Sequence, residues 1–102
     1  MGWVLACSQD DIDQEDLITI DLEGVRVAIY RSEDDEFFAT AGICTHEAVD
    51  LGDGLVMGDV IECPKHNGRF NYKTGEGLTA PICQNLKTYN VKLDGDDVLV
   101  EL

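Results

Sequence analysis

Basic residues and long apolar runs are both scarce in this sequence. Only seven lysines and arginines stand against 21 aspartates and glutamates, which gives a formal net charge of −14 over 102 residues. Such a chain repels nucleic-acid phosphates and anionic lipid headgroups, so we expect neither as a partner. No stretch approaches the roughly 18 apolar residues of a membrane helix. The N-terminus lacks the basic and apolar segments of a secretory signal, so we expect a cytoplasmic protein without a membrane partner.

Sustained helical periodicity is missing as well. Short apolar or alternating runs recur instead, separated by turn residues, and this pattern predicts strands. Glu23-Gly24 and Asp94-Gly95 are typical of tight hairpin turns, while the acidic segment 9–17 is either one helical turn or a solvated loop. The sequence therefore predicts an all-β, antiparallel fold. The predicted strands are 3–6, 17–22, 25–30, 36–41, 59–63, 68–72, 87–93 and 97–102.

Glycine and proline concentrate in the middle of the chain. Seven of the ten glycines lie between residues 42 and 77, and both prolines, Pro64 and Pro81, lie there or just beyond. Glycine permits positive φ and close approach of the backbone to a bulky group. Functional residues usually lie on loops that a rigid sheet supports. We expect a single domain, residues 1–102, with a loop-rich binding subdomain at about 42–83.

Both histidines of the chain lie just after cysteines. His46 follows Cys44 in "CTH", His66 follows Cys63 in "CPKH", and 16 residues separate His46 from Cys63. A cytoplasmic protein with four cysteines more often uses them for metal binding than for disulfides. The same residue order in two places therefore indicates a metal site whose ligands converge from two loops.

Two kinds of metal site fit these four side chains. Zinc accepts two thiolates and two imidazoles, but zinc modules commonly pair cysteine with cysteine and histidine with histidine. A binuclear iron–sulfur cluster with two cysteines on one iron and two histidines on the other suits mixed pairs better. The spacing favours the cluster and leaves a zinc-bound structural module as an alternative.

Cys44-Thr45-His46 and Cys63-Pro64-Lys65-His66 match the C-x-H…C-x-x-H signature of Rieske 2Fe–2S proteins. The match extends through "CTHEAVDLGDG", "GDVIECPKHNGRFNYKTGEGL" and "VKLDGDDVLVEL". Over nearly its whole length the chain resembles the soluble Rieske ferredoxins of bacterial aromatic-ring-hydroxylating dioxygenase systems. The resemblance implies one Rieske-type 2Fe–2S cluster, held in a small subdomain at one end of an antiparallel β-sandwich.

The resemblance also implies roles for individual residues. Cys44 and Cys63 would bind the inner iron, and His46 and His66 the outer one. The segment "TAPIC" (79–83) resembles the proline loop that shields the cluster from a third side.

The chain departs from the high-potential Rieske proteins of cytochrome bc complexes. Their two additional cysteines, which join the cluster loops, fall here on Val49 and Lys65. Their serine and tyrosine hydroxyls near the cluster fall on Gly68 and Phe70. Because such hydroxyls stabilise the reduced cluster, the resemblance implies a potential near the low end of the Rieske range, about −150 mV.

The expected function is one-electron transfer by a protein that is not itself an enzyme. The resemblance implies electron uptake from a flavin-containing, NAD(P)H-dependent ferredoxin reductase and delivery to a terminal Rieske oxygenase that acts on aromatic compounds. We expect no mononuclear iron domain of the kind that an oxygenase subunit carries. The small Rieske-like subunit of an assimilatory nitrite reductase remains an alternative.

Three basic residues, Lys65, Arg69 and Lys73, lie around the second Cys/His pair. They either fix the orientation of a docking partner or offset local charge. The excess of acidic residues either provides solubility, or adaptation to high salt, or steers a cationic partner. Composition leaves these alternatives open.

The remaining cysteines and most aromatic residues are predicted to be structural. Cys7 and Cys83 lie in apolar segments and are expected to be small buried residues, with a redox-active pair as the alternative. The aromatic residues predicted to lie in the core of the sheets are Trp3, Tyr30, Phe37, Phe38 and Tyr89.

Overall fold

The computed structural model describes residues 2–45, 48–65, 68–79 and 84–102. Within these ranges the chain forms ten β-strands and two short 3-10 turns, Gln9–Asp11 and Leu51–Asp53. No helix in the described part is long and apolar enough to cross a membrane. The strands are β1 (Trp3–Ser8), β2 (Asp16–Leu22), β3 (Val25–Arg31), β4 (Phe37–Ala41), β5 (Leu55–Met57), β6 (Val60–Glu62), β7 (Arg69–Asn71), β8 (Thr88–Tyr89), β9 (Val91–Asp94) and β10 (Asp97–Glu101).

The strands form three antiparallel sheets, which confirms the all-β prediction. Their orders are β1-β10-β9, β2-β3-β4-β8 and β5-β6-β7. The first two sheets face each other across a shared core, as in a β-sandwich. We call this the sandwich core; its buried residues are Ile12, Leu22, Val27, Ile29, Ala39, Val98 and Val100.

The third sheet, β5-β6-β7, packs on the opposite side of the second sheet around a core of its own. We call this the subdomain core; its buried residues are Leu17, Ala28, Tyr30, Cys44, Leu51, Val56, Ile61, Cys63, Phe70, Tyr72 and Leu86. Both predicted cysteine ligands are among them. The glycine-rich middle of the chain therefore folds around the two thiols.

Strand β3 lies between the two cores. Successive side chains of a strand point to opposite faces, so Val27 and Ile29 enter the sandwich core while Ala28 and Tyr30 enter the subdomain core. All four side chains are fully buried. A strand that is covered on both faces is expected to be continuously apolar. The run "VAIY" in β3 meets this expectation.

The predicted hairpin turns are confirmed. Glu23 and Gly24 connect β2 to β3 with φ of 50° and 84°, as a two-residue turn with two left-handed residues requires. In the last hairpin Asp94 pairs with Asp97, so Gly95 and the following aspartate form the tip. The acidic segment after β1 forms a single 3-10 turn whose capping box uses the Ser8 side chain.

The sequence missed one strand, joined two strands into one, and wrongly placed one aromatic residue in the core. Strand β5 was not predicted, because a three-residue run among glycines carries too little periodicity. The predicted strand 87–93 is broken at Asn90, where the chain passes from β8 in the second sheet to β9 in the first. Trp3 lies on the outer face of β1 with 39% of its surface exposed, and the Lys92 ammonium covers its ring at 4.4 Å.

Gly75 allows two backbone segments of the subdomain to meet. Its φ is +83°, its carbonyl accepts from the Leu86 N–H at 2.7 Å, and an added Cβ would collide with the Leu86 carbonyl oxygen. Gly24 has nearly the same φ, +84°, but no heavy atom lies within 4 Å of the corresponding Cβ position. Substitution of Gly24 therefore tests the effect of backbone conformation alone, and substitution of Gly75 tests that effect together with close packing.

We predict that Gly75→Ala destabilises the fold more than Gly24→Ala. The backbone conformation alone costs about 1–2 kcal/mol in both variants, and forced packing adds roughly 1–3 kcal/mol at Gly75 only. Denaturant midpoints followed by circular dichroism measure the difference. Equal midpoints for the two variants would contradict the close contact at Leu86.

Candidate metal centre

The first predicted ligand loop leaves β4 and returns at the 3-10 turn Leu51–Asp53. An isolated antiparallel bridge between Ile43 and Asp50 closes its base. Within it the Cys44 N–H donates to the Val49 carbonyl at 2.9 Å, and the Cys44 residue is only 3% exposed. The loop is thus a small hairpin with its cysteine directed into the subdomain core.

The second predicted ligand loop connects β6 to β7. Glu62 pairs with Arg69 at the base of this hairpin, and the Cys63 N–H donates to the Gly68 carbonyl at 2.6 Å. Cys63 is fully buried. Both cysteines therefore come from hairpin ends, as the metal-site hypothesis requires.

Two of the four predicted ligands, the thiols of Cys44 and Cys63, are placed as a metal site requires. They come from separate loops into one dry cluster, which also contains Leu51, Ile61 and Phe70. A buried thiolate is costly unless a cation neutralises it, so a site of this kind suits metal ligation. His46 and His66 lie outside the described residues, two positions after Cys44 and three after Cys63.

Three of the four positions that separate ferredoxin-type from high-potential Rieske proteins are apolar here, and the fourth is the exposed Lys65. Phe70 is fully buried in the subdomain core, Gly68 is buried, and Val49 packs against the same core. The nearby Tyr72 hydroxyl donates to the Gly58 carbonyl at 2.7 Å, in the β5–β6 turn at the other end of the small sheet. Its ring stacks on that of Tyr30 at 4.5 Å between centroids.

An ion pair that sequence reasoning missed fixes the base of the first loop. The Arg26 guanidinium donates to the Asp50 carboxylate from Nε at 2.8 Å and pairs through Nη2 at 2.7 Å. The other Asp50 oxygen accepts from the Gly52 N–H at 2.7 Å. Burial raises the pKa of Asp50, but these hydrogen bonds and the guanidinium charge outweigh it and lower the pKa below its usual range. The available signal was the Asp-x-Gly pattern of a side-chain-capped turn.

Asp50→Asn should destabilise the protein at neutral pH and not in acid. A carboxyl whose folded-state pKa is lowered stabilises the fold above its unfolded pKa of about 3.9, and this stabilisation disappears as the pH falls through the folded-state value. We expect a loss of about 1–2 kcal/mol at pH 7, which decreases in acid as the pH falls through the lowered folded-state pKa of Asp50. Denaturant titrations at several pH values measure it, with exposed Asp13→Asn as control; a pH-independent loss would contradict the ion-pair role.

The three predicted basic residues do not lie together. Lys65 is exposed at the end of the second loop, and Arg69 lies at its base, paired with Glu62 at 2.9 Å. Lys73 lies at the opposite end of the small sheet, where it pairs with Asp59 at 2.9 Å. The prediction that all three surround the second loop was therefore wrong for Lys73, since β7 carries it away from Cys63.

Cys7 packs against the sandwich core from β1 but is only half-buried. Burial, with a smaller contribution from the Asp11 charge, raises the pKa of its thiol to about 11. It is therefore an uncharged thiol at neutral pH and a poor metal ligand or nucleophile. Cys83, like the rest of 80–83, lies outside the described residues.

Comparison with known proteins identifies the kind of site. The model of the Rieske [2Fe-2S] domain matches residues 2–90. The ferredoxin component of the naphthalene 1,2-dioxygenase system of Pseudomonas aeruginosa is 42% identical over 100 residues, which cover 98% of this chain and 95% of that protein.

Solved structures agree with this match. The ferredoxin in a complex of reduced oxygenase and oxidised ferredoxin of carbazole 1,9a-dioxygenase superimposes with a TM-score of 0.89 and 32% identity, covering 96% of this chain and all of that one. A nitrite reductase small subunit, 24% identical with a TM-score of 0.84 over the whole of both chains, shares the fold. With the family model spanning most of its length and two thiols buried in one core, the chain belongs to the Rieske [2Fe-2S] family and carries one 2Fe–2S cluster.

Proposed function

We propose that this protein is the ferredoxin component of an aromatic-ring dioxygenase system, a one-electron carrier and not itself an enzyme. It takes electrons from a flavin-containing, NAD(P)H-dependent reductase and delivers them to a terminal Rieske oxygenase. The observation that carries this proposal is similarity over nearly the full length of both chains to a naphthalene dioxygenase ferredoxin component. An oxygenase–ferredoxin complex among the structural relatives supports the choice of electron acceptor.

We further propose the four cluster ligands. Cys44 and Cys63 hold the inner iron, and His46 and His66 hold the outer one. The burial of both thiols in the subdomain core, at 3% and 0% exposure, supports the assignment of the cysteines. For the histidines the support is their positions in the C-x-H and C-x-x-H patterns.

We also propose that the chain is a single Rieske domain, residues 1–102, whose cluster-binding subdomain spans about 42–83. The separate sheet β5-β6-β7 and its own core support that boundary. A cytoplasmic location is proposed because the expected electron source is an NAD(P)H-dependent reductase.

The chain keeps one side of the site dry and the other open to a partner. When bound, the cluster supplies reversible uptake of a single electron. Leu51, Ile61 and Phe70 exclude water from the cysteine side, since all three are fully buried. Ala48 and Pro64, one in each ligand loop, are exposed. A partner that docks on these loop ends brings its cofactor close to the cluster through a small interface, as fast release requires.

Reconstitution followed by an electron-transfer assay tests the function. The purified protein should bind iron and acid-labile sulfide, be red-brown, and give a reduced-state electron paramagnetic resonance spectrum of mixed histidine–cysteine ligation. Added to a naphthalene dioxygenase reductase and its terminal oxygenase, it should make product formation depend on its concentration. A colourless, zinc-containing protein would refute the proposal. Copurification with a large sirohaem protein, without oxygenase reduction, would support the nitrite reductase subunit instead.

A further inference from the structure

A side-chain hydrogen bond ties the first ligand loop to a distant segment. Thr45 lies between the proposed ligands Cys44 and His46, and its Oγ1 donates to the Gln84 carbonyl at 2.9 Å. The two residues are 39 positions apart in the chain. The bond therefore joins the ligand loop to the segment that begins at Gln84.

Backbone hydrogen bonds anchor the segment that receives this bond. Leu86 donates from its N–H to the Gly75 carbonyl at 2.7 Å, and the Lys87 carbonyl accepts from the Ala41 N–H at 2.8 Å. In addition, the Asn85 side chain accepts from the Gly77 N–H at 3.0 Å. Residues 85–87, which directly follow Gln84, are thus fixed both to β4 and to the chain that runs beside β7.

The chain beside β7 leads directly to the second ligand loop. Phe70 and Gly77 form an antiparallel bridge, and the Leu78 N–H donates to the Arg69 carbonyl at 2.8 Å. Arg69 in turn follows Gly68, whose carbonyl closes the Cys63 loop. A continuous path therefore runs from Thr45 through residues 84–87 and 75–78 to the loop that contains Cys63.

Thr45 and Thr79 differ in how far the backbone supports them. Thr79 Oγ1 accepts from the Arg69 N–H at 3.0 Å, but the Leu78–Arg69 backbone bond joins the same two segments. The closing bonds of the first loop, at Ile43 and Cys44, stay within that loop in the described part of the chain. Loss of the Thr45 hydroxyl therefore removes the one hydrogen bond that the described residues form between this loop and residues 84–87, whereas loss of the Thr79 hydroxyl leaves its segments paired.

We propose that Thr45 is a positioning residue that holds the first ligand loop at a fixed separation from the second. This rests on the proposed function and on its assignment of Cys44 and Cys63 as ligands. Groups that orient metal ligands typically change metal affinity by 10- to 100-fold when they are removed. A ligand loop that moves against its partner presents its ligands in the required geometry for a smaller fraction of the time.

Cluster release from the loaded protein tests the proposal. We expect Thr45→Val, which keeps the side-chain shape and removes the hydroxyl, to lose visible absorbance to a chelator about 10-fold faster than the original protein. Thr45→Ser, which keeps the donor, should stay within about twofold of it. Thr79→Val is the matched control near the other loop and should also change the rate by no more than about twofold, because its backbone bond remains. Denaturant midpoints of Thr45→Val and Thr79→Val should be alike.

Three results of the release experiment would overturn the role of Thr45. They are equal release rates for Thr45→Val and Thr79→Val, an original-like rate for Thr45→Val, or release from Thr45→Ser as fast as from Thr45→Val. If Thr45→Val takes up no cluster, Thr45→Ser decides: normal loading supports the proposal and failed loading overturns it. An original protein that binds no cluster would refute the proposed function, whereas one that shuttles electrons while Thr45→Val releases its cluster at the original rate would refute only this inference.

Discussion

Replacing Cys63 by serine is expected to abolish the cluster. The purified variant should be nearly colourless, with at least tenfold less iron and acid-labile sulfide than the original protein. Cys63 is fully buried among apolar side chains, so no other side chain and no water can take over as ligand without repacking the subdomain core. A serine hydroxyl does not ionise at neutral pH, and the soft thiolate is what an iron–sulfur cluster selects.

Cys7→Ala is the matched control for this prediction. Cys7 packs on the sandwich core, away from the ligand loops, and its raised pKa keeps it uncharged. The control should keep its full cluster content. Circular dichroism distinguishes loss of the ligand from loss of the fold, and a Cys63→Ser protein with full colour would contradict the assignment of this ligand.

His46→Cys is expected to keep part of the cluster and to lower its midpoint potential by about 125 mV. A thiolate in place of a neutral imidazole adds one negative charge directly to the cluster, which opposes the arrival of an electron. Low-potential Rieske centres, about −150 mV, lie about 250 mV above all-cysteine plant-type ferredoxins, about −400 mV. The two kinds of centre differ by two ligands, so one exchange should give about half of this difference. Spectroelectrochemical titration of the loaded variant measures the shift.

Lys65→Gln provides a control with the same change in net charge. Lys65 is exposed in the second loop, so solvent screens its charge. One screened charge of this kind is worth about 0.5 kcal/mol, or about 20 mV for one electron. If the two variants shifted the potential equally, His46 would act through general electrostatics and not as a ligand.

Local sequence patterns predicted most of the fold. Alternation identified the long strands, and Glu23-Gly24 identified the β2–β3 hairpin because two positive φ angles favour such residues. The run "VRVAIY" predicted a strand over 25–30, but not that each face of β3 would pack into a different core. The break at Asn90 was not predictable, since the apolar pattern of 87–93 continues across it while the hydrogen-bond partner changes from β4 to β10.

The sequence likewise predicted some features of the metal site and not others. The order and spacing of the Cys/His pairs identified the candidate ligands, because metal chemistry restricts residue type and local separation. The contacts that hold the loops were not predictable from spacing. Arg26 is 24 positions from Asp50, and Thr45 is 39 from Gln84. The same holds for Lys73, whose place is set by the direction of β7.

The sequence alone predicted the β architecture, the hairpin turns and the four candidate ligands. It also led us to expect no nucleic-acid partner. These depend on properties that act over a few residues: side-chain alternation, turn conformation, charge and ligand type. Only the tertiary structure shows which face of β3 packs against the thiols and which basic side chains lie near the second loop. The same is true of the hydrogen bond between Thr45 and Gln84. Those features depend on contacts between residues far apart in the sequence, and such contacts exist only once the sheets have packed.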